Sequence, residues 1–219
     1  KRIPLSLKLA GFSMILTIVF GVGSGVLMAV QKDRMLDHVL GTFSTVALSV
    51  PGFWIAIVLI FIFAEQWKIL PSSGISDGSG FILPAITLAL PSIGVCARLT
   101  RSAILDEIGR QYMSVADAKG MSRRRAVIRH AFGNALIPII TYLGNHMAGI
   151  IGGASIVETI FAIPGIGSYA IAGVQSKDYY VVQAYVLFSG CIYVLTNILI
   201  DLIYIALDPK IRAGEAVES

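Results

Sequence analysis

The sequence has little charge for its length. Only 14% of its 219 residues are Asp, Glu, Lys or Arg, whereas 56% are hydrophobic, and the mean hydropathy is +0.80. Soluble globular chains carry about 25% charged residues, so the usual charged surface around an apolar core is excluded. The composition instead predicts an integral membrane protein.

Cysteine is also scarce, and a familiar nucleotide-binding motif is missing. Cys96 and Cys191 each lie inside an apolar segment, without the spacing of a metal clip, so we interpret both as small buried thiols. No GxxxxGK[ST] sequence occurs, which excludes the Gly-rich loop that cradles nucleotide phosphates in Walker-type ATPases. The sequence therefore offers no ATP site of that kind.

Long apolar stretches recur along the chain. A bilayer crossing by an α-helix needs about 20 predominantly apolar residues. Five stretches meet this requirement, at 9–31, 42–64, 80–105, 131–157 and 179–207. The prediction is an all-α transmembrane helical bundle that forms a single domain over residues 1–219.

The basic residues are concentrated in one segment between two predicted spans. Residues 98–130 carry eight Lys or Arg and only three acids, and short loops this basic are retained on the cytoplasmic side. Alternation of the spans then places twelve of the 17 basic residues inside. It also places Lys1 outside, although neither a signal peptide nor an earlier span precedes it. We therefore expect an additional N-terminal piece that contains a sixth span.

Proline interrupts two of the predicted spans. Pro51, followed by Gly52, lies near the entry of the second span, and Pro84 and Pro91 lie in the third. Proline removes a helical hydrogen bond and clashes with the preceding turn. We therefore predict broken or bent helices in both spans.

The segment 158–178 is long and apolar enough to pass for another span. However, Pro164, Gly165 and Gly167 predict a short helix, a turn at 163–167 and a second short helix. Counting the segment as a crossing would also move the basic residues near the C-terminus to the outside. We interpret it as an outside-facing or re-entrant lid.

Two polar sites lie inside predicted spans. Asp201 is the only carboxylate well within an apolar run, and we expect it to pair with Lys210 or an arginine of the basic segment. His146 lies mid-span between Asn145 and Met147, so these three residues are candidates for a substrate pathway. Histidine and methionine suit nickel-like metals as ligands, but a lone histidine is more often a hydrogen-bonded structural group.

The basic segment itself predicts a helix before Gly120 and a second, basic helix that begins near Ser122. Two short helices of this kind suit insertion into a groove of a partner protein. A surface helix that touches anionic lipid has the same composition. The residue types alone leave both interpretations open.

Motifs along almost the whole chain resemble those of ABC importer permeases. The sequences at 116–122 and 129–138 are similar to the cytoplasmic coupling loop of the B-type subunit in the dipeptide, oligopeptide and nickel group. The general Glu-Ala-Ala-xxx-Gly pattern of permeases is only partly kept, so the expected ATPase contact follows the peptide-type subgroup. Further similarity lies at 49–54, 70–74, 158–161, 164–167 and 208–212.

The resemblance implies a type I ABC importer permease fold within a larger complex of the bacterial inner membrane. A second permease subunit would complete the translocation pathway, and an extracytoplasmic binding protein would deliver the substrate. Cytoplasmic ATPase subunits would bind ATP and Mg²⁺ and grip the coupling loop. The implied ATPase-coupling residues are Ala116, Asp117, Ala118, Lys119, Gly120, Met121, Ser122, Arg123 and Arg124.

The expected function is that of a non-enzymatic permease subunit that forms half of the pathway. His146 narrowly favours nickel or a metal chelate as the cargo, with this histidine as a metal ligand, and the alternative cargo is a dipeptide or oligopeptide. An ion-coupled secondary transporter would need mid-membrane carboxylates, for which only Asp201 is close. A membrane scaffold or receptor would need no partner ATPase.

Overall fold

A computed structural model describes residues 2–75, 78–110 and 127–207. Every regular element in these ranges is helical, which confirms the predicted all-α class. A helix satisfies its backbone hydrogen bonds within itself, as a chain this apolar requires in a bilayer.

The described ranges contain nine α-helices. In chain order they are α1 (Ile3–Leu16), α2 (Gly23–Val30), α3 (Met35–Ser49), α4 (Gly52–Leu59), α5 (Ile82–Ile108), α6 (Phe132–Gly153), α7 (Ser155–Ile160), α8 (Ile166–Gln175) and α9 (Tyr179–Leu207). Three π-helical segments continue these helices: Thr17–Val22 joins α1 to α2, Ile60–Gln66 extends α4, and Val127–Ala131 leads into α6.

Within the described ranges, three helical stretches are long and apolar enough to cross a bilayer. They are Ile3–Val30, Gly78–Ile108 and Tyr179–Ile203, and they correspond to the predicted first, third and fifth spans. A bent pair, α3 with Gly52–Gln66, makes a fourth crossing if it is counted as one span. The chain is thus a multi-pass membrane protein, with three or four apolar spans among the residues that the structure describes.

The remaining predicted span, 131–157, is occupied by α6 and the start of α7. Helix α6 has 22 residues, enough to cross a hydrocarbon layer of about 30 Å at about 1.5 Å per residue. Its sequence carries Asn134, Asn145 and His146, whose polar side chains lower the mean hydropathy, and it is not among the stretches named above. This predicted span therefore stays a prediction.

The two spans that contain proline differ in backbone conformation. Helices α3 and α4 meet at a bend of 102°, with Val50 and Pro51 in extended backbone conformations, which confirms the predicted kink. Helix α5, by contrast, is continuous for 27 residues and includes Pro91 in its interior, so the third span is not broken there, and a bend at Pro91 stays a prediction. Pro84 lies in the first turn of α5, where no helical N–H is needed.

Helix α5 is the central element, because α1, α2, α3, α4 and α6 all pack against it. A Cβ atom at Gly21 or Gly25 would overlap an α5 side chain, so these glycines allow the close approach expected of a small-xxx-small pair. Gly94 of α5 similarly lies against the carbonyl oxygen of Ser44. The backbones of α2 and α3 are therefore held close to α5.

The connecting segments gather at the two ends of α5. At its N-terminal end, the Gly74 N–H donates a hydrogen bond to the carbonyl oxygen of Phe161 at 2.9 Å, which joins the segment before α5 to the end of α7. Near its C-terminal end, Arg101 forms an ion pair with Asp37, which lies in the first turn of α3. The elements predicted to lie outside and inside thus occupy separate ends of the bundle, and the choice of the cytoplasmic end stays a prediction.

Helix α9 is the least covered helix of the bundle. Along most of its length its apolar side chains, such as Leu187, Val194 and Leu199, are exposed. Asp201 on this helix is exposed too, and it forms no ion pair within the described ranges. The expected pairing of Asp201 with an arginine is therefore not observed for the arginines that the structure describes. The other predicted partner, Lys210, lies outside the described residues, so that pairing stays a prediction.

Candidate functional site: the base of the basic loop and the lid junction

The predicted ATPase-coupling residues lie outside the described part of the chain. These are Ala116, Asp117, Ala118, Lys119, Gly120, Met121, Ser122, Arg123 and Arg124. The structure does describe the two flanks of that loop, the last turns of α5 and the helical start at Val127. The geometry of these flanks determines how a movement of the loop reaches the bundle.

The two flanks are tied together by polar and apolar contacts. The Asn134 side-chain amide donates a hydrogen bond to Glu107 at 3.3 Å, and Glu107 also pairs with Arg110 at 2.9 Å. Beneath this pair, Ile104 of α5 packs with Ala131 in a fully buried apolar cluster. The entry and exit of the loop therefore form one connected base.

A second polar contact joins α5 to α3. Arg101 donates two hydrogen bonds to the Asp37 carboxylate, from Nε to Oδ1 at 2.7 Å and from Nη2 to Oδ2 at 2.8 Å. Asp37 is only 5% exposed, whereas Arg101 is 31% exposed. The Asp33 backbone N–H donates to the same carboxylate at 2.9 Å, with Asp33 itself in the left-handed region at φ 63°. One carboxylate thus holds both the turn before α3 and the C-terminal half of α5.

Sequence reasoning missed this ion pair. The available signal was an acid in the first turn of a helix opposite a basic stretch at the end of another. Because that pattern says nothing about which helices are neighbours, only the fold brings the two residues together.

The ion pair forms part of the wall of an open cleft of about 630 Å³. Its polar lining includes Asp33, His38, Thr45 and Arg98. Arg98 is exposed and lies one turn before Arg101 on α5. The cleft therefore presents charged groups at the same end of the bundle as the base of the loop.

The predicted pathway residues do not converge on one site. Consecutive residues of an α-helix are about 100° apart, and Asn145 is exposed while His146 and Met147 are partly buried. The His146 ring stacks on Tyr142, with ring centroids 5.7 Å apart, and Met147 packs against the apolar core around Ile150. Their role in a substrate pathway stays a prediction.

The described residues provide no group of metal ligands around His146. Among the described residues, no group of three or more His, Cys, Asp or Glu side chains could hold a metal ion. The nearest specific contact of the ring is an aromatic one, and the hydroxyl of that same Tyr142 donates to the Ser92 carbonyl of α5 at 3.2 Å. The two rings are thus a stacked pair four residues apart on α6, and the tyrosine hydroxyl connects this pair to α5.

The predicted lid has the expected helix-turn-helix shape, formed by α7, a turn and α8. Glu158 of α7 is completely buried. Its carboxylate accepts a hydrogen bond from the Ser6 hydroxyl of α1 at 2.5 Å and another from the Ser168 N–H of α8 at 2.8 Å. The Ile166 N–H in turn donates to the Ser6 hydroxyl at 2.9 Å. We call this set of contacts the lid junction.

The lid junction gives a structural reason for the motifs at 158–161 and 164–167, which were identified in the sequence only by resemblance. A Cβ atom at Gly165 would overlap the Glu158 carboxyl group, so glycine is required where the turn passes over the acid. The carboxylate also faces the first N–H groups of α8, where negative charge is favoured by the helix dipole. Glu158 and the Pro-Gly turn therefore form a single structural unit with the start of α1. Whether this unit faces outside or re-enters the membrane stays a prediction.

The fold and these sites define a helical, multi-pass membrane protein, and comparison with known proteins gives its class. Residues 21–213 match the family described as binding-protein-dependent transport system inner membrane component. The chain belongs to this family, which confirms the resemblance to ABC importer permeases and the inner-membrane location.

Three curated relatives have similar sequences over most of this chain. Identity is 38% over 97% of the chain with the probable peptide ABC transporter permease protein y4tP of Sinorhizobium fredii. It is 34% over 95% with the dipeptide transport system permease protein DppB of Bacillus subtilis, and 34% over 91% with the glutathione transport system permease protein GsiC of Escherichia coli. The chain spans 70%, 68% and 65% of the lengths of these relatives. All three are permease subunits, in agreement with the expectation that this chain is not itself the ATPase.

Solved structures confirm the fold. An inward-facing structure of the MetNI methionine ABC transporter superposes with a TM-score of 0.76 over 93% of both chains, at 17% identity. An amino acid ABC transporter crystallised with histidines gives a TM-score of 0.70 over 91% of both chains, at 18% identity. At such low identity the likeness concerns the fold alone.

Proposed function

We propose that this chain is a permease subunit of an ATP-driven peptide importer and forms half of its translocation pathway. The observation that carries the proposal is the 38% identity over 97% of the chain with a probable peptide permease. The dipeptide and glutathione permeases among its relatives support the same class of cargo. Short peptides are therefore the proposed substrates.

The narrow preference for nickel is not supported. It depended on His146, which stacks on Tyr142 and belongs to no metal-binding group of described residues. The relatives compared above carry peptide, dipeptide and glutathione in their names. The alternative cargo, a dipeptide or oligopeptide, fits better.

The proposed complex supplies what this chain lacks. A second permease subunit completes the pathway, an extracytoplasmic binding protein delivers the peptide, and cytoplasmic ATPase subunits bind ATP and Mg²⁺. The segment from Ala116 to Arg124 is the proposed ATPase contact. The connected base around Glu107 and Asn134 supports this proposal, because a loop with joined flanks transmits a push to both α5 and α6.

The substrate is tested by uptake into proteoliposomes that contain the purified complete importer. We expect ATP-dependent uptake of radiolabelled alanyl-alanine that an excess of unlabelled dipeptide suppresses and an excess of nickel does not. Uptake of radiolabelled nickel that a dipeptide fails to suppress would contradict the proposed cargo. Uptake driven by a proton or sodium gradient without ATP would contradict the proposed class of transporter.

The ATPase contact is tested separately by co-purification. A Gly120→Trp substitution places a bulky side chain in the proposed contact, so we expect the ATPase subunits to be lost from the purified complex. Gly190→Trp is the matched control, because a side chain at Gly190 of α9 meets no neighbouring atom within 4 Å. ATPase retained by the Gly120 variant would show that the contact lies elsewhere.

A further inference from the structure

The Asp37–Arg101 ion pair fixes both the distance and the relative orientation of its two side chains. Two parallel hydrogen bonds of 2.7 and 2.8 Å connect the guanidinium and the carboxylate. A bidentate pair of this kind fixes the relative orientation of both groups. Because Asp37 is only 5% exposed, it cannot exchange Arg101 for solvent without uncovering a buried charge.

Helices α3 and α5 pack extensively against each other, and the ion pair is one of the contacts between them. Another is the close approach of Gly94 to the carbonyl oxygen of Ser44. Each point lies seven residues from the other on both helices, which corresponds to about 10 Å along a helix. Two attachments at that spacing make α3 turn with α5 as one body.

The positions of these contacts connect the loop to the bend. Arg101 lies about two helical turns before the end of α5 at Ile108, and the proposed ATPase contact begins eight residues later in the sequence, at Ala116. At its other end α3 stops at the 102° bend before α4. The ion pair therefore lies on a continuous connection from the base of the loop through α3 to the bend at Pro51.

We propose that the Asp37–Arg101 ion pair is a positioning contact that carries movement of the coupling loop from α5 into α3. The inference rests on the proposed function, since it requires that ATPase subunits move this loop. It assigns a role to two residues outside both the coupling segment and the candidate pathway residues.

The test measures nucleotide-driven movement of α3 in the complete importer, without reference to any substrate. Spin labels are attached at Val39→Cys on α3 and Val174→Cys on α8, where both native side chains are exposed, in a Cys191→Ser background. Cys96 is buried and is not labelled. In the parent protein we expect the distance between the labels to change when ATP and vanadate are added.

In the Asp37→Asn variant we expect that distance change to be lost while the ATPase subunits remain bound. Arg98→Met is the matched control, because Arg98 lines the same cleft one turn away and is exposed, and it should retain the change. If Asp37→Asn prevents assembly, Arg101→Lys keeps the charge without the two parallel hydrogen bonds and should give a reduced change. An undiminished change in a correctly assembled Asp37 or Arg101 variant would overturn the inference, as would an equal loss in the Arg98 control.

A second readout is the amount of alanyl-alanine taken up per ATP hydrolysed. We expect this ratio to fall about fivefold or more in Asp37→Asn, because a fivefold effect is the lower end of what coupling between two sites usually contributes. The ratio should stay unchanged in Arg98→Met. Absence of alanyl-alanine uptake by the parent complex would count against the proposed cargo. The distance measurement would still decide the role of the ion pair.

Discussion

The Ser6 hydroxyl, in the first turn of α1, donates a hydrogen bond to Oε1 of Glu158, a residue 152 positions later in the chain. Both residues are almost completely buried. The contact therefore fastens the lid to the first helix of the described bundle. Since Ser6 also accepts the Ile166 N–H, the hydroxyl connects three elements at once.

Replacement of Glu158 should weaken the lid junction. In Glu158→Ala the Ser6 hydroxyl and the Ser168 N–H lose their acceptor, and each unpaired buried donor costs about 1–3 kcal/mol. Glu158→Gln should cost less, because the amide oxygen can still accept the Ser168 N–H and its NH₂ group can donate to Ser6. The midpoint of thermal unfolding in detergent measures both. The neighbouring Thr159→Ala, at an exposed position, is the control and should change little, and equal effects of Glu158→Ala and Thr159→Ala would contradict the assignment.

Gly165→Ala should destabilise the protein through one specific overlap. The added Cβ atom meets the Glu158 carboxyl group, and such overpacking costs about 1–3 kcal/mol. The cost should therefore shrink when Glu158 has already been replaced by alanine. A double-mutant cycle of thermal unfolding midpoints measures this coupling. Strictly additive effects would show that Gly165 is required for its backbone and not for the space that Glu158 occupies.

Two glycines in the same helix should respond differently to the same change. A Cβ atom at Gly25 would overlap Thr100 of α5, whereas one at Gly23 meets nothing within 4 Å. We expect Gly25→Ala to lower the thermal unfolding midpoint and Gly23→Ala to leave it unchanged or raise it, because alanine favours helix over glycine by about 1 kcal/mol. The reverse order would mean that α2 and α5 are not in close contact.

The orientation of the bundle predicts where reagents can reach the chain. In a Cys191→Ser background, Ser122→Cys should react with a membrane-impermeant maleimide only after the cells are opened. Val174→Cys, at an exposed position of α8, should react in intact cells if the lid faces outside. Labelling of Ser122→Cys from the exterior would invert the topology and remove the basis for a cytoplasmic ATPase contact.

The fold class followed from the sequence because its cause is compositional. Apolar runs of sufficient length require helices in a bilayer, and the Pro-Gly turn at 163–167 correctly divided the lid into two helices. The same reasoning left open whether Pro91 breaks the third span or only bends it, and the helix is unbroken there. A proline inside a helix is tolerated where neighbouring helices pack around it, and α5 has such neighbours on several sides. Local sequence does not contain that information.

The polar contacts of the sites were less accessible to sequence reasoning. Asp37 and Arg101 are 64 positions apart, and Ser6 and Glu158 are farther apart still. Neither pair has a fixed spacing that a pattern can recognise, since each depends on which helices become neighbours. His146 shows the opposite error: its residue type suggested a metal ligand, whereas its surroundings supply an aromatic ring.

The sharp bend at Pro51 has a consequence for the surrounding lipid. Helix α3 has 15 residues, and at about 1.5 Å per residue it is shorter than the roughly 30 Å hydrocarbon layer. The extended backbone at Val50 and Pro51 interrupts the internal backbone hydrogen bonds that allow a helix to lie in the hydrocarbon layer. Pro51 is also exposed within this chain. Where the bent pair crosses the bilayer as one span, such non-helical backbone persists only beside protein or a hydrated cavity. In that arrangement the acyl chains are kept away from this corner of the molecule.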